Sequence, residues 1–176
     1  MKKIRIWLIT ILLLTACGTK PELEPGSPLK LASFTENSVT VSLTLEADSA
    51  GQAFLAATFT PSDPTFHLYS IEIPRDGVNG LGRPTLVEPA PNAKIQSTGP
   101  LIASAEAKDA DIDGLPIYPA GAVTLRLPVT LPAGSGWYDD NVSVTYMACG
   151  SGVCMPPVIG KIIPVRIPGA DAISNP

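Results

Sequence analysis

Two cysteines stand near the carboxyl end in YMACGSGVCMPP, residues 146–157, with four residues between Cys149 and Cys154. Three chemistries suit such a pair. As a structural disulfide it closes a short loop and stabilises the fold by roughly 2 kcal/mol in the chain-entropy view. As a metal site it offers two thiolates flanked by the thioethers of Met147 and Met155, soft ligands that favour Cu(I). Zinc would want four ligands, and the single histidine, His67, lies in another segment. As a redox couple it needs a tight backbone path, which Gly150 and Gly152 permit, and access for a partner's sulfur. Alternation places Cys149 with Met147 and opposite Val142, Val144 and Tyr146, so its sulfur need not be in the core. No Lys, Arg or His lies within several residues, and Asp139 and Asp140 precede the segment. The sequence thus gives no reason for a strongly lowered thiol pKa, and exchange is expected mainly inside a complex with a partner.

Which chemistry applies depends on the compartment, because disulfides persist mainly outside the reducing cytosol. The chain opens MKKIRIWLITILLLTACGTK, with Lys2, Lys3 and Arg5, an apolar run over residues 6–14, then small residues and Cys17. This pattern reads as a secretion signal. Its apolar run is about half of the roughly 20 residues a spanning helix requires, so removal is expected rather than retention as an anchor. LTAC, residues 14–17, resembles the lipobox of bacterial lipoproteins. That resemblance implies acylation of Cys17, which becomes the first mature residue and a membrane anchor. With Cys17 so used, Cys149 and Cys154 have only each other. The expected divisions are a signal peptide at 1–16, a lipidated tether at 17–28, one domain at 29–168 and a tail at 169–176.

Three of the 12 Lys and Arg leave with residues 1–16, so nine remain against 16 Asp and Glu, a net charge near −7. An acidic surface repels phosphate backbones and excludes a nucleic-acid role. The tether GTKPELEPGSP is rich in Pro and Gly and, extended, reaches roughly 35 Å.

Beyond the tether the pattern has period two. Val39, Val41, Leu43 and Leu45 alternate with Ser38, Thr40, Ser42 and Thr44, as a half-buried strand requires. The alternation returns with Val123, Leu125, Leu127, Val129 and Leu131, and Pro128 on the outer parity points to an edge or a bulge. Residues 52–60, 66–73, 141–148 and 162–167 are further strand candidates. Nineteen prolines and fifteen glycines forbid long helices. The fold class is all-β, a β-sandwich with long loops at 75–84 and 105–121.

VTYMACGSGVCMPP, residues 144–157, resembles the active-site segment of the amino-terminal domain of the DsbD family of protein-disulfide reductases. FHLYSIEIP (66–74) and IYPAGAVTLRLPVTLP (117–132) resemble that domain's aromatic strand and the strand before its active-site hairpin. The resemblance runs over roughly residues 29–168. It implies an immunoglobulin-like sandwich and a redox-active Cys149–Cys154 disulfide, with Cys154 exchanging with partners and Cys149 resolving. It also implies a cap loop at 109–116, with Ile112 as shield, Asp111 and Asp113 as acidic neighbours and Gly114 in the turn. Tyr69 and His67 would line the site. The implied partners are thioredoxin-like proteins and a membrane electron conduit, and the implied pathway is disulfide correction or cytochrome c maturation. The expectation is a lipid-anchored, extracytoplasmic, periplasmic or cell-surface monomer without metal or other cofactor. The spacing of four residues between the cysteines departs from the five of familiar members, and Ile112 replaces an aromatic cap residue. The membrane and thioredoxin-like domains of full-length members are absent from this sequence, so electrons would have to come from separate proteins.

Overall fold

Alternating apolar and hydroxyl side chains build the first sheet. The computed structural model describes residues 23, 26–110, 114–150 and 152–173. The expected signal peptide, Cys17, most of the expected tether, and Asp111, Ile112 and Asp113 lie outside the described residues. In chain order the strands are β1 (Leu29–Glu36), β2 (Val39–Ala47), β3 (Ala53–Pro61), β4 (His67–Leu68), β5 (Leu86–Pro89), β6 (Gln96–Ser97) and β7 (Ile102–Ala103). They continue with β8 (Lys108–Asp109), β9 (Pro116–Ile117), β10 (Val123–Thr130), β11 (Trp137–Tyr146), β12 (Ala148–Gly150), β13 (Val153–Cys154) and β14 (Val158–Pro168).

The large sheet runs β1-β2-β3-β10, with the stubs β6 and β7 on the outer side of β10. A second sheet runs β14-β11-β5, a third β13-β12-β4, and β8 pairs with β9. All these ladders are antiparallel. Val39, Val41, Leu43 and Leu45 from the first sheet meet Val142, Val144, Ile163 and Val165 from the second in one buried cluster. Two antiparallel sheets across a shared core make an immunoglobulin-like sandwich. At its centre Phe59 and Tyr146 meet edge to face with centroids 5.5 Å apart, and the Tyr146 hydroxyl donates to the Glu36 carbonyl at 3.0 Å.

Pro128 lies beside the outer stubs. Its carbonyl accepts from the Thr98 N–H at 2.9 Å. A residue of an antiparallel strand turns its N and O to the same side, so the missing N–H faces outward and costs β10 no bond to β3. Asn37 (φ 47°) and Ser38 (φ 61°) form the two-residue turn from β1 to β2. The Asn37 side-chain amide donates to the Pro156 carbonyl at 2.8 Å, tying the exit from the cysteine hairpin to the large sheet.

The chain changes sheets at Met147. Strand β11 pairs with β14 and β5, slipping register between Val144 and Tyr146, whereas β12 pairs with β4 and β13. Residues 66–73, expected as one strand, form only β4 and a bridge at Tyr69 before the chain turns. Ser70 explains the break: its N–H donates to Pro116 and its hydroxyl accepts from Glu72 N–H, which bends the backbone locally.

The two long loops carry structure of their own. In the first, Val78 and Leu81 pair around Asn79 (φ 52°) and Gly80 (φ 82°), the Asn-Gly hairpin turn. The Arg83 guanidinium closes it by donating to the carbonyls of Asp76 and Gly80. The second loop contains the β8/β9 hairpin. Both loops meet at Tyr69, which bridges Pro84 from the first and Ile117 from the second.

Candidate functional site

Cys149 and Cys154 are joined as a disulfide and face each other across the β12/β13 hairpin, Cα atoms 4.1 Å apart. Gly150 pairs with Val153 just beyond them, leaving a two-residue turn in which Gly152 takes φ 79°. The Met155 N–H donates to the Ala148 carbonyl at 2.9 Å and holds the hairpin closed.

The two sulfurs live in different surroundings. Cys149 is 4% exposed and packs with Tyr69, Ile73 and Leu115 in a small apolar cluster apart from the main core. Cys154 is exposed. Alternation correctly took Cys149 out of the main core, but not to the surface. The change of sheets at Met147 brings β12 under Tyr69 and Leu115, so access to the bond lies at Cys154.

Tyr69 is pinned through its backbone. Its carbonyl accepts from the N–H and hydroxyl of Thr85, which is fully buried, at 3.2 and 2.7 Å. It also bridges Ile117 and Pro84. The side chain then reaches the bond: its hydroxyl donates to Cys149 Sγ at 3.0 Å and lies 4.0 Å from Cys154 Sγ. Burial raises the phenol pKa, which keeps the hydroxyl a donor. Such a donor strengthens when the sulfur becomes a thiolate.

His67 pairs with Cys149 in the β4/β12 register. Its ring stands edge-on to that of Tyr69, centroids 5.7 Å apart, and burial lowers its pKa. The absence of His, Lys or Arg near the cysteines in sequence is thus reversed in space by one strand pairing.

A groove of about 580 Å³ opens over the pair, lined by His67, Tyr69, Asp109, Leu115, Cys149 and Cys154 among others. The loop expected as a cap has its stem here. Asp109 and Leu115 line the groove, and Gly114 is exposed at φ 75°. Asp111, Ile112 and Asp113 lie outside the described residues, so their shielding role remains an expectation. Thr85 was missed by the sequence reading and Leu115 was included only as part of the 109–116 loop, for both act through contacts with Tyr69 from segments distant in sequence.

The two thioethers of the copper alternative pack on different clusters. Met147 packs against the Cys149 cluster while Met155 packs against the main core, and both thiols are committed to the disulfide. Among the described residues no group of three or more His, Cys, Asp or Glu is placed to hold a metal.

No protein-family model and no curated protein matches the chain. Among solved structures it is similar to the DsbD N-terminal domain of Neisseria meningitidis in the reduced form, with 20% identity and a TM-score of 0.44 over 76% of this chain and 87% of that one. It is also similar to the N-terminal periplasmic domain of ScsB from Proteus mirabilis, with 13% identity and a TM-score of 0.47 over 81% of this chain and 52% of that one.

Proposed function

We propose that the protein is an extracytoplasmic thiol:disulfide interchange module, anchored to a bacterial membrane by lipid on Cys17. It passes electrons from a membrane conduit or thioredoxin-like donor to oxidised thioredoxin-like clients, in disulfide correction or cytochrome c maturation. One observation carries the reading: the Cys149–Cys154 bond has one sulfur exposed on a hairpin and the other buried against a hydroxyl donor. A bond serving only as a staple needs neither asymmetry nor a groove.

The chemistry follows from that asymmetry. A donor thiolate attacks Cys154 Sγ, the reachable sulfur, and Cys149 leaves as a thiolate that receives the Tyr69 hydrogen bond. A second donor thiol completes the reduction. In the reverse direction Cys154 attacks a client disulfide and Cys149 displaces the client from the mixed disulfide. Between encounters the cap loop, residues 109–116 with Ile112 at its centre, covers the pair in this reading.

The test is the reduction potential of the couple, measured by equilibration with glutathione or dithiothreitol buffers. A value above about −250 mV is expected for a working exchange couple, and one below about −300 mV would mark a structural bond and end the proposal. Tyr69→Phe is expected to slow reduction by dithiothreitol about tenfold, because a hydrogen bond to a charged group is worth roughly 1.5 kcal/mol. Stopped-flow kinetics checks this. An unchanged rate would remove Tyr69 from the chemistry.

A further inference from the structure

We propose that His67 accepts the thiol proton of Cys149 when that cysteine resolves a mixed disulfide at Cys154. The proposal rests on the thiol:disulfide reading and adds the group that makes the buried sulfur a nucleophile. Only the thiolate attacks, and an apolar site disfavours ionisation of a thiol. At 4% exposure, within the Tyr69, Ile73 and Leu115 cluster, Cys149 has little contact with water that could take its proton. A base must therefore come from the protein.

The strand pairing supplies one. His67 stands directly opposite Cys149, and side chains so paired on antiparallel strands have Cβ atoms about 4.5–5.5 Å apart. Both residues line the groove over the disulfide. Half-burial lowers the His67 pKa, so near neutral pH the imidazole is uncharged and able to accept. His67 also borders a second cavity of about 390 Å³ with Lys108, Asp109 and Tyr118.

The other titratable groups facing His67 suit the task less well. On its own segment Tyr69 is a donor kept protonated by burial. From the cysteine hairpin come only the two reacting sulfurs. From the β8/β9 side, Lys108 is a cation, and the Tyr118 hydroxyl accepts the Ile71 N–H at 3.2 Å. Asp109 is an exposed carboxylate whose strand pairs with Pro116 and not with Cys149. Asp111 and Asp113 lie outside the described residues.

The step balances within the complex. With Cys154 bonded to the client sulfur, the Cys149 thiol gives its proton to His67 and its thiolate attacks Cys154 Sγ. The Cys149–Cys154 bond forms, the bond to the client breaks, and the client sulfur leaves with the electron pair. That thiolate then takes the proton from the imidazolium.

The test uses the reduced chain carrying Cys17→Ser, which leaves two thiols, and 2,2′-dipyridyl disulfide, which releases one thione on attack by Cys154 and a second on resolution by Cys149. Stopped-flow absorbance reads both steps from about pH 5 to about pH 8, below the usual thiol pKa. In the wild type the second release should be nearly flat at neutral pH and fall only below a pKa under the ordinary histidine value of 6.5. In His67→Gln and His67→Phe it should rise roughly tenfold per pH unit, as free thiolate does, and be about ten- to a hundredfold slower at neutral pH. The phenylalanine variant keeps an aromatic ring against Tyr69, so loss of packing is controlled. A folded variant with the wild-type rate and profile overturns the role of His67 and leaves the exchange reading standing. A wild-type protein that releases only the first thione overturns both.

Discussion

Cys149→Ser is expected to produce a protein that captures its partner and cannot release it, while Cys154→Ser captures nothing. Cys154 is exposed on the hairpin and Cys149 is 4% exposed beneath Tyr69 and Leu115, so a partner sulfur reaches only Cys154. Without Cys149 the mixed disulfide has no internal nucleophile and persists. Without Cys154 the remaining thiol is buried and out of reach. Both variants should lose turnover completely, yet non-reducing electrophoresis of cells alkylated at harvest should show a thiol-sensitive adduct for Cys149→Ser alone. Adducts of equal yield from both variants would refute the division of labour.

Gly150→Ala should cost about 3 kcal/mol, the upper end for inserting a methyl group into a filled space. A Cβ at Gly150 would lie 2.6 Å from Phe66 Cδ1, 2.9 Å from the Thr65 carbonyl oxygen and 3.0 Å from Phe66 Cα. Two of these three atoms are backbone, and Phe66 belongs to the main core, so no rotamer change relieves the contact. The strain must open the β4/β12 pairing, which is also the pairing that sets His67 opposite Cys149. Loss of stability and slowed exchange should therefore appear together. Gly152→Ala is the comparison: nothing lies within 4 Å of its Cβ, and only the left-handed φ of 79° penalises it, by about 1 kcal/mol. Urea unfolding of the two variants separates these costs. Equal stability of Gly150→Ala and the wild type would contradict the contact.

Strands that face one core along their whole length were legible in the sequence. Strands β2 and β10 keep strict partners across long registers, and their alternation is uninterrupted. Strand β1 went unnoticed because its register slips between Lys30 and Ala32, which spoils the parity of LKLASFTE. Strand β5 is short and ends in a proline. The cysteine pair announced itself by residue type, but its asymmetry did not. Parity along 141–149 assumes one sheet, and the chain leaves that sheet at Met147. The neighbours that matter chemically, Tyr69, His67 and Leu115, come from segments more than 30 residues away. Their convergence depends on strand pairings that no local pattern encodes. The resemblance of the cysteine segment to a known family had placed Tyr69 and His67 beside the pair, which periodicity could not.

The bond from Asn37 to the Pro156 carbonyl bears on timing as well as shape. The Met155 to Ala148 bond joins the two arms of the cysteine hairpin, the β4/β12 pairing holds its entry, and none of these bonds involves a sulfur. Cleaving the disulfide then frees two sulfurs without freeing the strands that carry them. Cys149 remains poised at a high effective molarity against any mixed disulfide formed at Cys154. In the proposed exchange an encounter with a partner would accordingly be brief, and a dissolved small thiol would compete poorly for the same sulfur. On the proposed function, the fastened exit of a short hairpin would thus limit how long each covalent complex lasts.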